Sequence, residues 1–249
     1  MAGNYSMKYC VDIAMCFDAT GSMRPLLDKV KDHALHLYED LMNAMNRKGK
    51  TVHEVRVRAI AFRDYLADGK EAMLASRFYS LPREAKEFEE LVRSIKPFGG
   101  GDDPEDGLEA LAYAMKSDWT QEGYKRRHLI ILWTDDDAHP LGFGGDPANG
   151  RELTKMIGLT EKQIEENAAC YPQRMAKGFD ELTDWWGDEA MPGMMDNDAK
   201  RLLLYAPDKK MWNQISDSWN KVVHYQAEAG KGLNEVEYQE ILDAIVGSI

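Results

Sequence analysis

Apolar residues crowd the first strand-like stretch, "KYCVDIAMCF", as expected of a central strand covered on both faces. Over residues 22–45 the period changes. Leu26, Val30, Ala34, Leu37, Leu41 and Ala44 fall on one stripe, which predicts a single amphipathic helix with Pro25 in its first turn and Gly49 closing it. "EVRVRAIAF" (54–62) reads as a second strand and "ASRFYSL" (75–81) as a short, more polar edge strand. Residues 83–95 read as a helix burying Phe88, Leu91, Val92 and Ile95. The Gly-rich "KPFGGGDDPEDG" is a loop in which Asp103 is expected to N-cap a helix opened by Pro104, with Leu108, Leu111, Ala112 and Met115 as its stripe.

"RHLIILWTDDDAHP" (127–140) is a further buried strand that runs into three consecutive aspartates. The alternation then breaks over 141–200, which opens on "LGFGGDPANG" and carries the tract "DWWGDEAMPGMMDND". Order resumes with the strand "RLLLYAP", a helix over 208–219, the strand "KVVHYQA", and a last helix presenting Tyr238, Ile241, Leu242, Ile245 and Ile249 on one face. Alternating strands and helices with short connections predict an α/β fold of three layers. Its central sheet is mostly parallel, covered on both faces, with one antiparallel edge strand. The whole of 1–249 reads as one domain, with 141–200 inserted between the fourth and fifth main strands.

Composition narrows the function. A formal charge of -12 opposes nucleic-acid binding, which needs a basic face. Six Trp and a hydrophobic fraction of 44% fit an ordered chain with a large core. Asp12 and Asp18 interrupt the first apolar run, which therefore does not read as a signal peptide, and no run approaches the roughly 20 apolar residues of a membrane span. Cys10, Cys16 and Cys170 have no metal-ligand spacing. The two on the first strand read as buried free thiols, and a reducing, cytoplasmic setting is expected.

Three loops carry candidate chemistry at the ends of predicted strands, where open α/β sheets bind ligands. Asp18, Thr20 and Ser22 follow the first strand, Asp102 and Asp103 lie in the Gly-rich loop, and residues 135–137 follow Thr134. These side chains offer only oxygen, which suits Mg²⁺, with Mn²⁺ or Ca²⁺ as substitutes, and disfavours Zn²⁺. Capping is the simpler role for Ser22 and Asp103. For Asp18, at the end of a buried strand, a partner is required.

"DATGS" (18–22) matches the D-x-[ST]-x-S signature of von Willebrand factor type A (vWA) domains, and "WTDD" resembles the strand-end T-D of the same fold. The resemblance implies a metal-ion-dependent adhesion site. Thr20 and Ser22 would ligate Mg²⁺ through their hydroxyls, Asp18 and Asp135 would hold its waters, and an acidic residue of a protein partner would complete the sphere. The middle loop departs from the adhesion pattern, in which a Thr is usual. Its "GGGDDPED" resembles a subgroup of bacterial stress-response, tellurite-resistance-like proteins and kinase-associated vWA domains. That places Asp102 in the Thr position, with Asp103 as its competitor, and suggests a kinase or phosphatase of the same system as partner.

Two other readings remain open. "FDATGS" also looks like the nucleophile loop of haloacid-dehalogenase-type phosphoryl-transfer enzymes, with Asp18 as nucleophile, although Ala19, Thr20 and the immediate helix depart from it. The third is a scaffold whose metal site is structural or vestigial and which binds partners elsewhere. There, Trp185, Trp186 and the Met cluster over 191–195 either form a contact patch or seal the insertion onto the domain. His139 is expected to act as a hydrogen-bonding loop residue and not as a ligand.

Overall fold

A computed structural model describes residues 8–99, 104–188 and 190–249. Its strands are β1 (Tyr9–Asp18), β2 (Glu54–Phe62), β3 (Met73–Ala75), β4 (Tyr79–Leu81), β5 (Lys125–Trp133), β6 (Lys200–Pro207) and β7 (Val222–Ala227). Its α-helices are α1 (Arg24–His33), α2 (Leu37–Arg47), α3 (Tyr65–Asp68), α4 (Ala85–Ser94), α5 (Gly107–Met115), α6 (Leu153–Met156), α7 (Glu161–Ala168), α8 (Phe179–Trp186), α9 (Lys210–Ser218) and α10 (Tyr238–Ser248). The strands form one sheet in the order β3-β2-β1-β5-β6-β7, with β4 also on β2. The pairs β1–β2, β1–β5, β5–β6 and β6–β7 are parallel, while β3 and β4 run antiparallel to β2.

All ten residues of β1 are buried, and its two faces feed two cores. Val11, Ile13, Met15 and Phe17 join a cluster with α1, α2, α4 and α10. Ala14 and Cys16 join another with α5, α8 and α9. Asp12 points to the second side, where the Arg56 guanidinium donates two hydrogen bonds to its carboxylate (2.8 and 2.6 Å) and Thr120 N–H donates a third (2.7 Å). Cys10 and Cys16 are buried free thiols, whereas Cys170 is exposed. Among the described residues, no helix is long and apolar enough to cross a membrane.

Three local expectations need correction. The predicted helix over 22–45 is two helices, because the chain turns at 34–36, where His36 N–H donates to His33 O (3.0 Å). The turn lets α1 pack against α4, with His33 at its end stacked on Tyr238, while α2 runs along α10. The edge strand is split into β3 and β4, which pair with opposite ends of β2 on either side of residues 76–78. Helix α5 begins at Gly107 with Asp106 at its N-cap position, and not at Pro104 as expected; Asp103, the expected cap, lies outside the described residues. Glu105 is drawn instead into a bridge with Ala138, and Asp106 N–H donates to Arg63 O (3.1 Å).

The segment between β5 and β6 packs on the α3 and α5 side. Tyr171 donates its hydroxyl to buried Glu109 (2.7 Å), and Asn167 donates to the carbonyls of Leu66 and Ala67. Trp186 is fully buried, stacks on Trp219 and donates to Asn220 O, so it seals this segment onto the sheet. Met195 is buried with it, while Met191 and Met194 face solvent.

Candidate metal centre

The chain order explains where the site lies. From β1 the sheet grows one way through β2 and the other way through β5, so a crevice opens beyond the carboxyl ends of β1 and β5. Register pairs Phe17 with Trp133, which leaves Asp18 and Thr134 side by side at that rim. Thr134 donates its hydroxyl to Asp18 Oδ2 (2.8 Å). Asp18 Oδ1 accepts from Thr20 N–H (2.9 Å) and from the Thr20 hydroxyl (2.6 Å). The oxygens of Thr20 and Ser22 stand 3.3 Å apart, and Ser22 donates its hydroxyl to Asp135 Oδ1 (2.9 Å).

Four of the five expected site residues therefore come together as two hydroxyl–carboxylate pairs, Thr20 on Asp18 and Ser22 on Asp135, whose hydroxyl oxygens lie side by side. Asp102 and its competitor Asp103 lie outside the described residues. Ser22 is not a helix cap: α1 has no side-chain cap, and the Ser22 hydroxyl is committed to Asp135. Asp18, Thr20 and Asp135 are buried, while Gly21 and Ser22 are exposed, so the site meets solvent at Ser22.

The three aspartates after β5 separate in role. Asp135 faces the crevice. Asp137 Oδ1 accepts from Met211 N–H (3.2 Å) at the start of α9, where a carboxylate suits the helix dipole. Asp136 lends its carbonyl to the Trp212 indole (2.6 Å). His139 is buried, stacks on Phe143 at 3.8 Å between centroids, and donates its backbone N–H to Glu105 O (2.9 Å).

Residues beyond the expected set complete the support. Thr134 is the threonine of "WTDD", and its hydroxyl holds Asp18. The loop between β7 and α10 carries no hydroxyl side chain and contributes main-chain donors. In it, Gly232 N–H donates to Asp135 Oδ2 (2.8 Å) and Gly230 N–H donates to Asp135 O (2.8 Å). Two glycines spaced by one residue in "EAGKGLNE" were its sequence trace. Arg63, buried under the rim, donates to the carbonyls of Ala19, Phe98, Glu71 and Lys96 and ties β1, β2 and the segment before the Gly-rich loop together.

This donor set fits a hard divalent cation. Two hydroxyl oxygens converge at the solvent edge with their protons directed at carboxylates, which leaves lone pairs outward. Among the described residues, no three His, Cys, Asp or Glu side chains stand close enough to hold a metal, so carboxylates alone do not make a site here. Thr20 and Ser22 would be the direct oxygens, and the ion would supply a positive charge at an otherwise acidic rim.

Burial pushes the Asp18 carboxyl up to about 6, against the pull of its hydrogen bonds from Thr20 and Thr134. A folded-state value raised above that of the unfolded chain favours the protonated protein. The Asp18 contribution to stability without metal is therefore full below about pH 4 and lost as pH rises through about 6. In chelator, the stability of wild type relative to Asp18→Asn should fall by on the order of 3 kcal/mol between pH 4 and pH 8. Melting curves of both proteins across that range measure it, and a constant gap would refute the buried-carboxylate account. A divalent cation held at this site would select the ionised form, so its affinity should rise over the same interval.

No family model matches the chain. A curated relative, the Alpha-protein kinase vwkA of Dictyostelium discoideum, is 26% identical over 156 residues, which is 59% of this chain and 23% of that protein. The chain thus spans about a quarter of the relative's length. Among solved structures, it is similar to the vWF domain of the type V pili tip protein Mfa5 from Porphyromonas gingivalis. There the identity is 12%, 98% of each chain is covered, and the TM-score is 0.48. A von Willebrand factor type A structure from Catenulispora acidiphila is 13% identical, with 96% of this chain and 43% of that one covered and a TM-score of 0.47.

Proposed function

We propose that the chain is a vWA-type module that binds one divalent cation, Mg²⁺ foremost, and through it a protein partner. The observation that supports this reading is the pairing of the Thr20 hydroxyl with Asp18 and of the Ser22 hydroxyl with Asp135, which sets two hydroxyl oxygens 3.3 Å apart at the switch point of the sheet with Ser22 exposed. Asp18 and Asp135 orient the two hydroxyls and hold waters of the ion, and Asp102 belongs to the same set by sequence. The segment between β5 and β6 packs on α3 and α5 and leaves Gly21 and Ser22 exposed, which favours a site open to partners over a covered one. A non-enzymatic role fits Asp18 better than phosphoryl transfer. Both its carboxylate oxygens are engaged and it is fully buried, which opposes in-line attack on a phosphoryl donor. The name of the curated relative makes a kinase of the same system a partner class to test.

The test is calorimetric titration of wild type and Ser22→Ala with Mg²⁺ and Mn²⁺, followed by capture of candidate kinase and phosphatase partners with and without chelator. Wild type should bind either ion, Ser22→Ala should bind about tenfold more weakly, and a partner should be released by chelator. Absence of metal binding in wild type would end this reading.

A further inference from the structure

Glu105 is a buried acid that the site described above leaves unused. It is 4% exposed, and its Oε2 accepts no hydrogen bond. Its backbone is clamped on both sides: its N–H donates to Asp137 O (3.2 Å) and its carbonyl accepts from His139 N–H (2.9 Å). That clamp fixes Glu105 beside the loop carrying Asp135. Among the described residues, Asp18, Asp64, Asp106 and Asp68, all acidic, act on its carboxyl group and, with its burial, push it upward. The charge of Arg63 also reaches it, but each of the three guanidinium nitrogens donates to main-chain carbonyls. A carboxylate taken out of water with an unpaired oxygen, among other acids, destabilises the fold unless a cation or a proton answers it.

We propose that Glu105 is a further carboxylate of the cation site, acting on the ion through water and not as a direct ligand. This rests on the metal-site reading of Asp18, Thr20, Ser22 and Asp135. Action through water suits an ion that keeps several of its waters, and it agrees with the finding that no three described acidic, His or Cys side chains cluster closely enough to share one ion. Glu105 then strengthens binding of the ion, and its burial without a hydrogen-bonding partner destabilises the metal-free protein.

The two effects have opposite signs, which separates this role from simple packing. Glu105→Gln should bind Mg²⁺ at least about tenfold more weakly in calorimetry, while its melting midpoint in chelator should equal or exceed that of wild type. Glu109→Gln is the control, because Glu109 is a buried acid whose Oε1 is held by Tyr171 and Gly142. It should keep wild-type Mg²⁺ affinity. An affinity of Glu105→Gln within about twofold of wild type overturns the proposal, and so does a variant that melts early or fails to fold in chelator. If wild type itself gives no Mg²⁺ heat, the metal-site reading falls and takes Glu105 with it. Binding by wild type with no change in Glu105→Gln removes Glu105 alone.

Discussion

Asp18→Ala should weaken Mg²⁺ binding by roughly 100-fold, the upper end of what loss of a supporting carboxylate costs a metal site. Asp18 does two things at once. It holds the Thr20 hydroxyl by its proton, and through Thr134 it joins the ends of β1 and β5. Without it, the Thr20 oxygen loses its fixed orientation, and the rim loses a charge that favours a cation. The fold should survive. Three donors lose an acceptor, each costing about 1–3 kcal/mol if left unpaired, but Thr20 and Thr134 can rotate their hydroxyls, and a buried carboxylate that prefers its proton disappears. Calorimetry alongside melting curves in chelator checks both halves. Equal Mg²⁺ isotherms for wild type and Asp18→Ala would refute the metal site, and a phosphorylated Asp18 found by mass spectrometry would install the rival chemistry.

Much of the architecture was legible because burial on two faces leaves a continuous apolar record. The boundaries expected for β2 match those observed, and β1, β5, β6 and β7 were all placed. What failed locally has a common cause: a non-local contact overruled a local pattern. The stripe over 22–45 has one helical period, yet α1 packs against α4 while α2 runs along α10. Asp103-Pro104 has the form of a helix start, yet the bridge from Glu105 to Ala138 delays α5 to Gly107.

The site shows the same division. Asp18, Thr20 and Ser22 are close in sequence, and their spacing carried the information. The choice of Asp135 over its two neighbours came from a family resemblance. In the structure it is set by distant partners, with α9 taking Asp137 and the β7–α10 loop taking Asp135. Glu105 follows Pro104 in what reads as a helix start, and nothing local shows that it would be buried at the rim of the sheet.

Gly232 is where the second large effect is expected. It has φ +62°, and a Cβ placed there would lie 2.1 Å from Ser22 O and 2.9 Å from Pro25 Cδ. Gly232→Ala therefore combines a left-handed backbone with a collision against main chain that cannot rotate away. The two together cost about 2–5 kcal/mol. Relief requires the loop to retreat, which withdraws the N–H that holds Asp135 Oδ2 and loosens the Asp135–Ser22 bond. Mg²⁺ affinity should fall together with stability. Gly230→Ala is the matched comparison. Its φ is +67°, but nothing lies within 4 Å of the added Cβ, so only the backbone term of about 1 kcal/mol applies. Denaturant melts and Mg²⁺ titrations of the pair separate the contributions. If Gly232→Ala loses no more stability than Gly230→Ala, the close approach of this loop to Ser22 does not hold Asp135 in place. If it loses stability but keeps its Mg²⁺ affinity, the loop packs against the site without shaping it.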